Sequence, residues 1–138
     1  MRVFLDTSAF AKRYVSESGS EKVMALCTQA ESLAVSVICL PELISTLARL
    51  VREKRITKAS YLKLKSDAIA DLADVDICQV NADVLVTTIK LLESNPLRAM
   101  DAIHLSSALA INADVFISAD RRQLTAARKA GLKVVEVS

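Results

Sequence analysis

The chain opens with three apolar residues, Val3-Phe4-Leu5, that run directly into an acid and two hydroxyls, Asp6-Thr7-Ser8. A run that is apolar at every position predicts a short strand buried on both faces. The same signature returns at Val115-Phe116-Ile117-Ser118, which again stops just short of an acid, Asp120. Residues 33–38 alternate and branch like a strand, and 75–80 and 133–137 read the same way. The segments between them read as helices: 8–15, 20–30, 41–54, 57–72, 82–94, 98–109 and 121–130.

Local punctuation supports these boundaries. The polar stretch 16–20 ends the first helix, and Asn95-Pro96 is a turn. Pro41 suits the first helical position, with Glu42 in the first turn complementing the helix dipole. Thr57 and Asn81 are good N-caps, Asp120 with Gln123 three residues on resembles a capping box, and Gly131 fits a helix C-cap. Strands alternating with helices predict an α/β fold of three layers, with a largely parallel central sheet of about five strands flanked by helices.

Composition narrows the picture. At 138 residues the chain is long enough for one sizeable core, so residues 1–138 are expected to form a single domain. The formal net charge of +2 gives no overall field toward nucleic acid or membrane, so any such binding must be local. Cys27, Cys39 and Cys78 are an odd number without a close pair, which fits reduced, buried thiols in a cytoplasmic protein. No secretory signal pattern stands at the N-terminus, and Pro41, Glu42 and Arg49 interrupt the apolar residues 33–51, so no membrane span is expected.

Topology then gathers the acids. In a parallel α/β layer the carboxyl ends of strands and the amino ends of the following helices share one edge, where ligands bind. Asp6 and Asp120 follow strands, while Glu42 and Asp101 open helices, so all four are candidates for that edge. Asp6 and Asp120 suit helix caps equally well, and Glu42 suits a dipole partner. Two like charges about 4 Å apart repel by about 4 kcal/mol at an effective dielectric of about 20, so clustered carboxylates either hold protons or need a cation. Hard oxygen ligands with room for water suit Mg²⁺ or Mn²⁺, and those ions point to phosphodiester chemistry.

Four short motifs, in order, carry a resemblance. Phe4-Leu5-Asp6-Thr7-Ser8-Ala9, Pro41-Glu42-Leu43, Met100-Asp101-Ala102-Ile103-His104-Leu105 and Phe116-Ile117-Ser118-Ala119-Asp120 resemble the PIN-domain nucleases, and within them the VapC-type ribonuclease toxins of toxin-antitoxin pairs. The closing residues 127–134 extend the likeness over essentially the whole chain. The resemblance implies a PIN-like fold and an endoribonuclease whose Mg²⁺ or Mn²⁺ is held by Asp6, Glu42, Asp101 and Asp120. It implies that Ser118 orients Asp120 or a water at the metal, that Thr7 or Ser8 assists at the first acid, and that the partners are RNA, a small antitoxin protein and a second copy of the chain joined through apolar helix faces.

The remaining polar residues divide. His104 shares a helix face with Asp101 and reads as a packed histidine supporting the site. A single histidine cannot supply the imidazole pair of metal-free RNA cleavage, and no serine or cysteine has the partners of a covalent nucleophile. Lys12, Arg13, Arg98, Arg121 and Arg122 stand within a turn or two of an acid and are candidates for positioning RNA phosphates. The basic run 49–65, with Arg49, Arg52, Lys54, Arg55, Lys58, Lys63 and Lys65, reads as a solvated helical hairpin, since only Tyr61 offers base stacking. Two other readings stay open: an RNA-processing nuclease without an antitoxin, which an adjacent small gene and growth arrest on expression would separate, and a non-catalytic α/β binding module, which absence of Mg²⁺ or Mn²⁺ binding would favour.

Overall fold

Short strands that are apolar at every position are stable only inside a sheet covered on both faces. The computed structural model, which describes residues 1–138, places them there. The elements run β1 (Arg2–Leu5), α1 (Thr7–Ala11), α2 (Ser20–Gln29), β2 (Ser32–Ser36), α3 (Cys39–Arg52), α4 (Lys58–Leu72), β3 (Asp76–Cys78), α5 (Ala82–Ser94), α6 (Ala99–Ala110), β4 (Val115–Ser118), α7 (Arg121–Lys129) and β5 (Lys133–Glu136). Five strands form one sheet in the order β3-β2-β1-β4-β5, and every pairing is parallel.

Alternation along the strands sorts the core into two halves. Val3, Leu5, Val35, Val115 and Ile117 pack with Phe10 of α1, Val23 of α2, Leu43 and Leu47 of α3, and Ala68 of α4. Phe4, Ala34 and Phe116 face the other way, against Leu105 and Ala108 of α6 and Leu124 and Ala127 of α7. The α5 helix packs on α6. Phe4 and Phe116 stack with ring centroids 5.7 Å apart, and burial of each contributes about 2 kcal/mol. Helices on both faces of the sheet make the expected three layers.

Strand order decides where a site can form. The chain lays β2 and then β3 to one side of β1, and returns to place β4 on the other side. The order therefore reverses at the β1/β4 boundary, and a crevice opens outside the carboxyl ends of these two strands. Leu5 pairs with Ile117, so one step further along the register Asp6 stands opposite Ser118.

Several boundaries differ from expectation, each for a local reason. The helix expected over 8–15 is only Thr7–Ala11, continued by i→i−3 bonds from the backbone N–H groups of Lys12, Arg13 and Tyr14. This is the tighter geometry that often closes short helices. The α3 helix begins at Cys39, so Pro41 is its third residue, not its first; first-turn N–H groups have no intrahelical acceptor, so its missing donor breaks no bond. Residues 37 and 38 turn into α3 instead of extending β2, and the edge strand β3, paired with β2 alone, keeps only three of the residues expected in it. Thr57 and Asn81 cap as expected, accepting from the N–H groups of Ser60 and Val84. Asp120 caps α7, but the capping box is one-sided: Gln123 Nε2 donates instead to the Asp101 carbonyl at 3.0 Å.

Gly19 is fixed by both conformation and space. Its φ is 91°, and a Cβ there would lie 2.0 Å from the Val137 carbonyl oxygen, so the start of α2 meets the chain end only if residue 19 has no side chain. Gly131 follows α7 with φ 93°, as a helix-terminating glycine does. The three cysteines are free, and only Cys39 is fully buried; Cys27 and Cys78 are half-buried, which corrects the expectation of three buried thiols. No helix is long and apolar enough to cross a membrane.

Candidate active site

A cavity of about 600 Å³ opens at the β1/β4 crevice, and Asp6, Glu42, Asp101 and Asp120 all line it. Each arrives by a different route. Asp6 is the residue after β1, Asp120 lies two beyond the end of β4, Glu42 sits in the first turn of α3, and Asp101 sits in the first turn of α6. Only the parallel layering brings the four together.

Asp6 is the deepest, 3 % exposed. Its Oδ1 accepts from the Ser8 hydroxyl at 2.7 Å and from the Ala9 N–H at 2.9 Å, and its Oδ2 accepts from the Ser118 hydroxyl at 2.6 Å. Asp6 is thus both the N-cap of α1 and a wall of the cavity, so capping and site membership are not alternatives here. Burial nevertheless raises its carboxyl above the usual aspartate range, despite the hydrogen bonds from Ser118, Ala9 and Ser8 and the charge of His104.

Two hydroxyls tie the strand ends together. Ser118 Oγ, which donates to Asp6, accepts from the Asp120 N–H at 2.9 Å. Ser8 Oγ, which donates to Asp6, accepts from the Ala119 N–H at 3.0 Å. Ser118 therefore orients the Asp6 side chain and the Asp120 backbone, while the Asp120 carboxylate is held by its own helix through Arg122 N–H at 2.9 Å. Ser118 is expected to orient Asp120 or a water at the metal; its bond to Asp120 runs through the backbone N–H, and its own hydroxyl proton goes to Asp6.

Glu42 is held differently. Its Oε1 accepts from the Thr7 hydroxyl at 2.6 Å and bonds His104 Nε2 at 2.5 Å, with Thr7 Oγ1 also 3.1 Å from that nitrogen. Burial alone would raise this carboxyl, but the hydrogen bonds from His104 and Thr7 and the His104 charge outweigh it, and the net shift is downward. His104 is 2 % exposed, and its Nδ1 has no partner. The histidine therefore serves Glu42, not Asp101, its neighbour on α6.

The Asp101 carboxylate accepts no hydrogen bond within the chain; it is the Asp101 backbone carbonyl that receives Gln123 Nε2. Burial, then repulsion from Asp120 and Asp6, raise its carboxyl, with Arg98 and His104 opposing. A half-buried carboxylate without hydrogen-bond donors, facing two others, is the chemistry of a cation ligand. No group of three His, Cys, Asp or Glu side chains stands close enough together to hold a metal ion as the chain is arranged here. The acids line the cavity instead of meeting at a point.

The cationic candidates separate. Arg98 lines the main cavity and a second one of about 340 Å³ that it shares with Asp101, Asp120, Arg121 and Arg122. Lys12 and Arg13 line neither cavity. Lys12 is buried and bonds Glu17 at 3.2 Å and the Ser18 carbonyl at 2.6 Å. Arg13 lies over the Phe10 and Tyr14 rings and pairs with Asp71 at 3.5 Å. Both hold α1 to its surroundings, so the structure does not bring these two RNA-contact candidates to the acids. Sequence reading passed over Arg49, Ser45, Thr46, Glu17 and Gln123, all of which line the main cavity. The signal for Arg49 was present: seven residues after Glu42, it falls on the same helix face.

Comparison with known proteins adds an independent line. A family model described as the PIN domain matches residues 3–129. Ribonuclease VapC45 of Mycobacterium tuberculosis (strain CDC 1551 / Oshkosh) is 31% identical over 134 residues, 96% of this chain and 93% of that protein. Among solved structures, Mycobacterium tuberculosis VapC20, described as a sarcin-ricin loop cleaving toxin, superposes with a TM-score of 0.70 at 19% identity over 97% of this chain and 98% of its own. A toxin-antitoxin complex from Klebsiella pneumoniae gives 0.71 at 17% identity over 99% of this chain and 98% of the other. At these identities the structural likenesses speak for the fold.

Proposed function

The chain belongs to the PIN-domain family, among its VapC-type ribonucleases, and from that premise we propose that it is a Mg²⁺- or Mn²⁺-dependent endoribonuclease, the toxin of a type II toxin-antitoxin pair acting in the cytoplasm. The observation that carries the reading is the convergence of Asp6, Glu42, Asp101 and Asp120 on one cavity, with Asp6 and Asp101 raised above the ordinary carboxylate range. Raised, mutually repelling carboxylates are an energetic cost that a divalent cation removes.

Asp101, Asp6 and Asp120 would hold the ion, and Glu42 would complete the negative wall. When bound, such an ion lowers the pKa of a water, polarises the phosphodiester and stabilises the leaving oxygen. The chain's own work is positional. Ser118 and Ser8 fix the Asp6 carboxylate and the Asp120 backbone in one register. His104 and Thr7 keep Glu42 ionised and pinned toward α6, and this leaves its Oε2 to act as a proton acceptor in the cavity. Arg98, at the rim, suits a phosphate oxygen and partly offsets the charge on Asp101. Catalysis of this kind needs no covalent intermediate with the protein. The free cysteines play no part.

An antitoxin partner is supported by the structural neighbour described as a toxin-antitoxin complex. A homodimer is supported by the exposed apolar residues Leu85, Val86 and Ile89 on α5, which an isolated chain leaves in water. Incubating purified protein with total RNA, with and without Mn²⁺, and mapping the new ends tests the activity. Discrete internal cuts that need Mn²⁺ support the reading; intact RNA under both conditions overturns it. Growth arrest on expression, relieved by co-expressing the product of an adjacent small gene, tests the toxin role.

A further inference from the structure

The main cavity does not end at the acids. On one side it shares Arg98, Asp101 and Asp120 with the second cavity, which Arg121 and Arg122 also line. On the other side it runs along one face of α3, where Glu42, Ser45, Thr46 and Arg49 follow at helical spacing. The two cavities share the wall of Arg98, Asp101 and Asp120, so their combined lining carries the acids with Arg98 among them, Arg49 toward one end and Arg121 and Arg122 toward the other. That lining is almost wholly polar: Ala11 is the one hydrophobic residue in the main cavity, and the second has none.

We infer that Arg49 is a phosphate-positioning residue, and that the α3 face from Ser45 to Arg49 is a binding track for the RNA strand on the side of the cut opposite Arg121 and Arg122. This rests on the ribonuclease reading above. A chain of phosphates one nucleotide apart passes four carboxylates more easily where the phosphates flanking the reacting one meet cations; Arg98 stands beside the acids, and Arg49, Arg121 and Arg122 lie to either side of them. Arg49 is 58 % exposed at its side chain and is tied only to Glu53, at 3.8 Å, so moving its guanidinium onto a phosphate breaks no buried bond. Ser45 and Thr46 add neutral donors between Glu42 and Arg49, which suits a sugar-phosphate backbone. The combined lining holds no Phe, Tyr or Trp, and its one imidazole, His104, is buried, so this track grips backbone without reading bases.

The experiment measures cleavage of a defined RNA by the full chain, using wild type, Arg49→Ala, Arg49→Lys, Arg122→Ala and Arg52→Ala. Arg52 is the control: an exposed arginine on the same helix that lines a different cavity. Arg49→Ala is expected to raise KM about five- to tenfold with kcat within about twofold, and to flatten the log KM against log salt slope by about 0.7, the value for one single-strand phosphate contact. Arg49→Lys recovers most of the slope, and Arg52→Ala leaves it unchanged. Shortening the RNA on one side of the cut should erase the difference between wild type and Arg49→Ala, and shortening it on the other side should erase the difference for Arg122→Ala. If wild type cleaves but Arg49→Ala keeps its salt slope, or the same truncation erases both differences, the two-sided track is wrong while the nuclease reading stands. If wild type neither binds nor cleaves RNA, the nuclease reading fails first.

Discussion

Glu42 and His104, 62 positions apart, are joined by a bond from His104 Nε2 to Glu42 Oε1, and the Thr7 hydroxyl donates to the same oxygen. One carboxylate of the four is thereby held below the ordinary glutamate range while Asp6 and Asp101 are pushed above the ordinary aspartate range. The site contains carboxyls with opposed tendencies. That asymmetry keeps Glu42 ionised and oriented, and in the proposed reading it is the raised carboxyls of Asp6 and Asp101 that a cation relieves.

His104→Leu removes the donor from Glu42 and should lower cleavage about tenfold or more, whereas His104→Gln, which can return an N–H near the Nε2 position, should recover part of it. The stability sign follows from the lowered Glu42 value. Its contribution is present above the unfolded value of 4.5 and is lost as pH falls through the folded one. Thermal unfolding of wild type and His104→Leu should therefore differ more at pH 7 than at pH 3.

Asp101 carries the opposite sign. Its folded value is raised above 3.8, so the protein is favoured below that value and penalised as pH rises through the folded one. Without divalent metal, Asp101→Asn should melt above wild type at pH 7 by about 2–3 °C, equivalent to about 1 kcal/mol or less once solvent screening is allowed for. The gap should close below about pH 4. Added Mn²⁺ should raise the melting point of wild type and leave the variant nearly unmoved.

Ser118→Ala strips a donor from Asp6 Oδ2 and an acceptor from the Asp120 N–H, both in the buried floor of the site. About 2 kcal/mol of stability should go with them. The Ser118 bond is the largest influence opposing burial at Asp6, so its loss moves the Asp6 carboxyl further up. The acidic limb of the pH–rate profile should move to higher pH, which a profile taken at subsaturating Mn²⁺, where proton and ion compete for Asp6, would read.

Gly19→Ala places a methyl on the Val137 carbonyl and holds a left-handed φ that alanine disfavours. The expected cost is about 2–4 kcal/mol, seen as a lower denaturant midpoint. Gly131→Ala, with φ 93° but nothing within 4 Å of the new methyl, should cost about 1 kcal/mol. Equal midpoints for the two variants would mean that the contact at Val137 does not exist.

The sequence made the sheet and the acids legible because both depend on local patterns. Val3-Phe4-Leu5 and Val115-Phe116-Ile117 read as buried strands by their unbroken apolarity, and the acids just beyond them, Asp6 and Asp120, fell on the ligand edge by the rule for parallel layers. What escaped depends on contacts between distant elements. Lys12 and Arg13 look like solvent cations until α1 is packed against Asp71, Glu17 and two aromatic rings. Arg49 looked like one charge in a basic hairpin until the face of α3 was set beside Asp6. Pro41 misled because it is permitted anywhere in a first turn and so does not mark the first residue. The role of Ser118 needed the β1/β4 register, which no single strand carries.

Whether the acids form a divalent-ion site that cleaves RNA is read most directly from the single-turnover rate on one defined RNA for wild type and Asp101→Asn across an Mn²⁺ titration. Such a site gives no cleavage by wild type in EDTA, a rate that saturates with Mn²⁺, and a loss of about a thousandfold or more in Asp101→Asn at every metal concentration. Full, metal-dependent cleavage by Asp101→Asn would contradict this role for the acids.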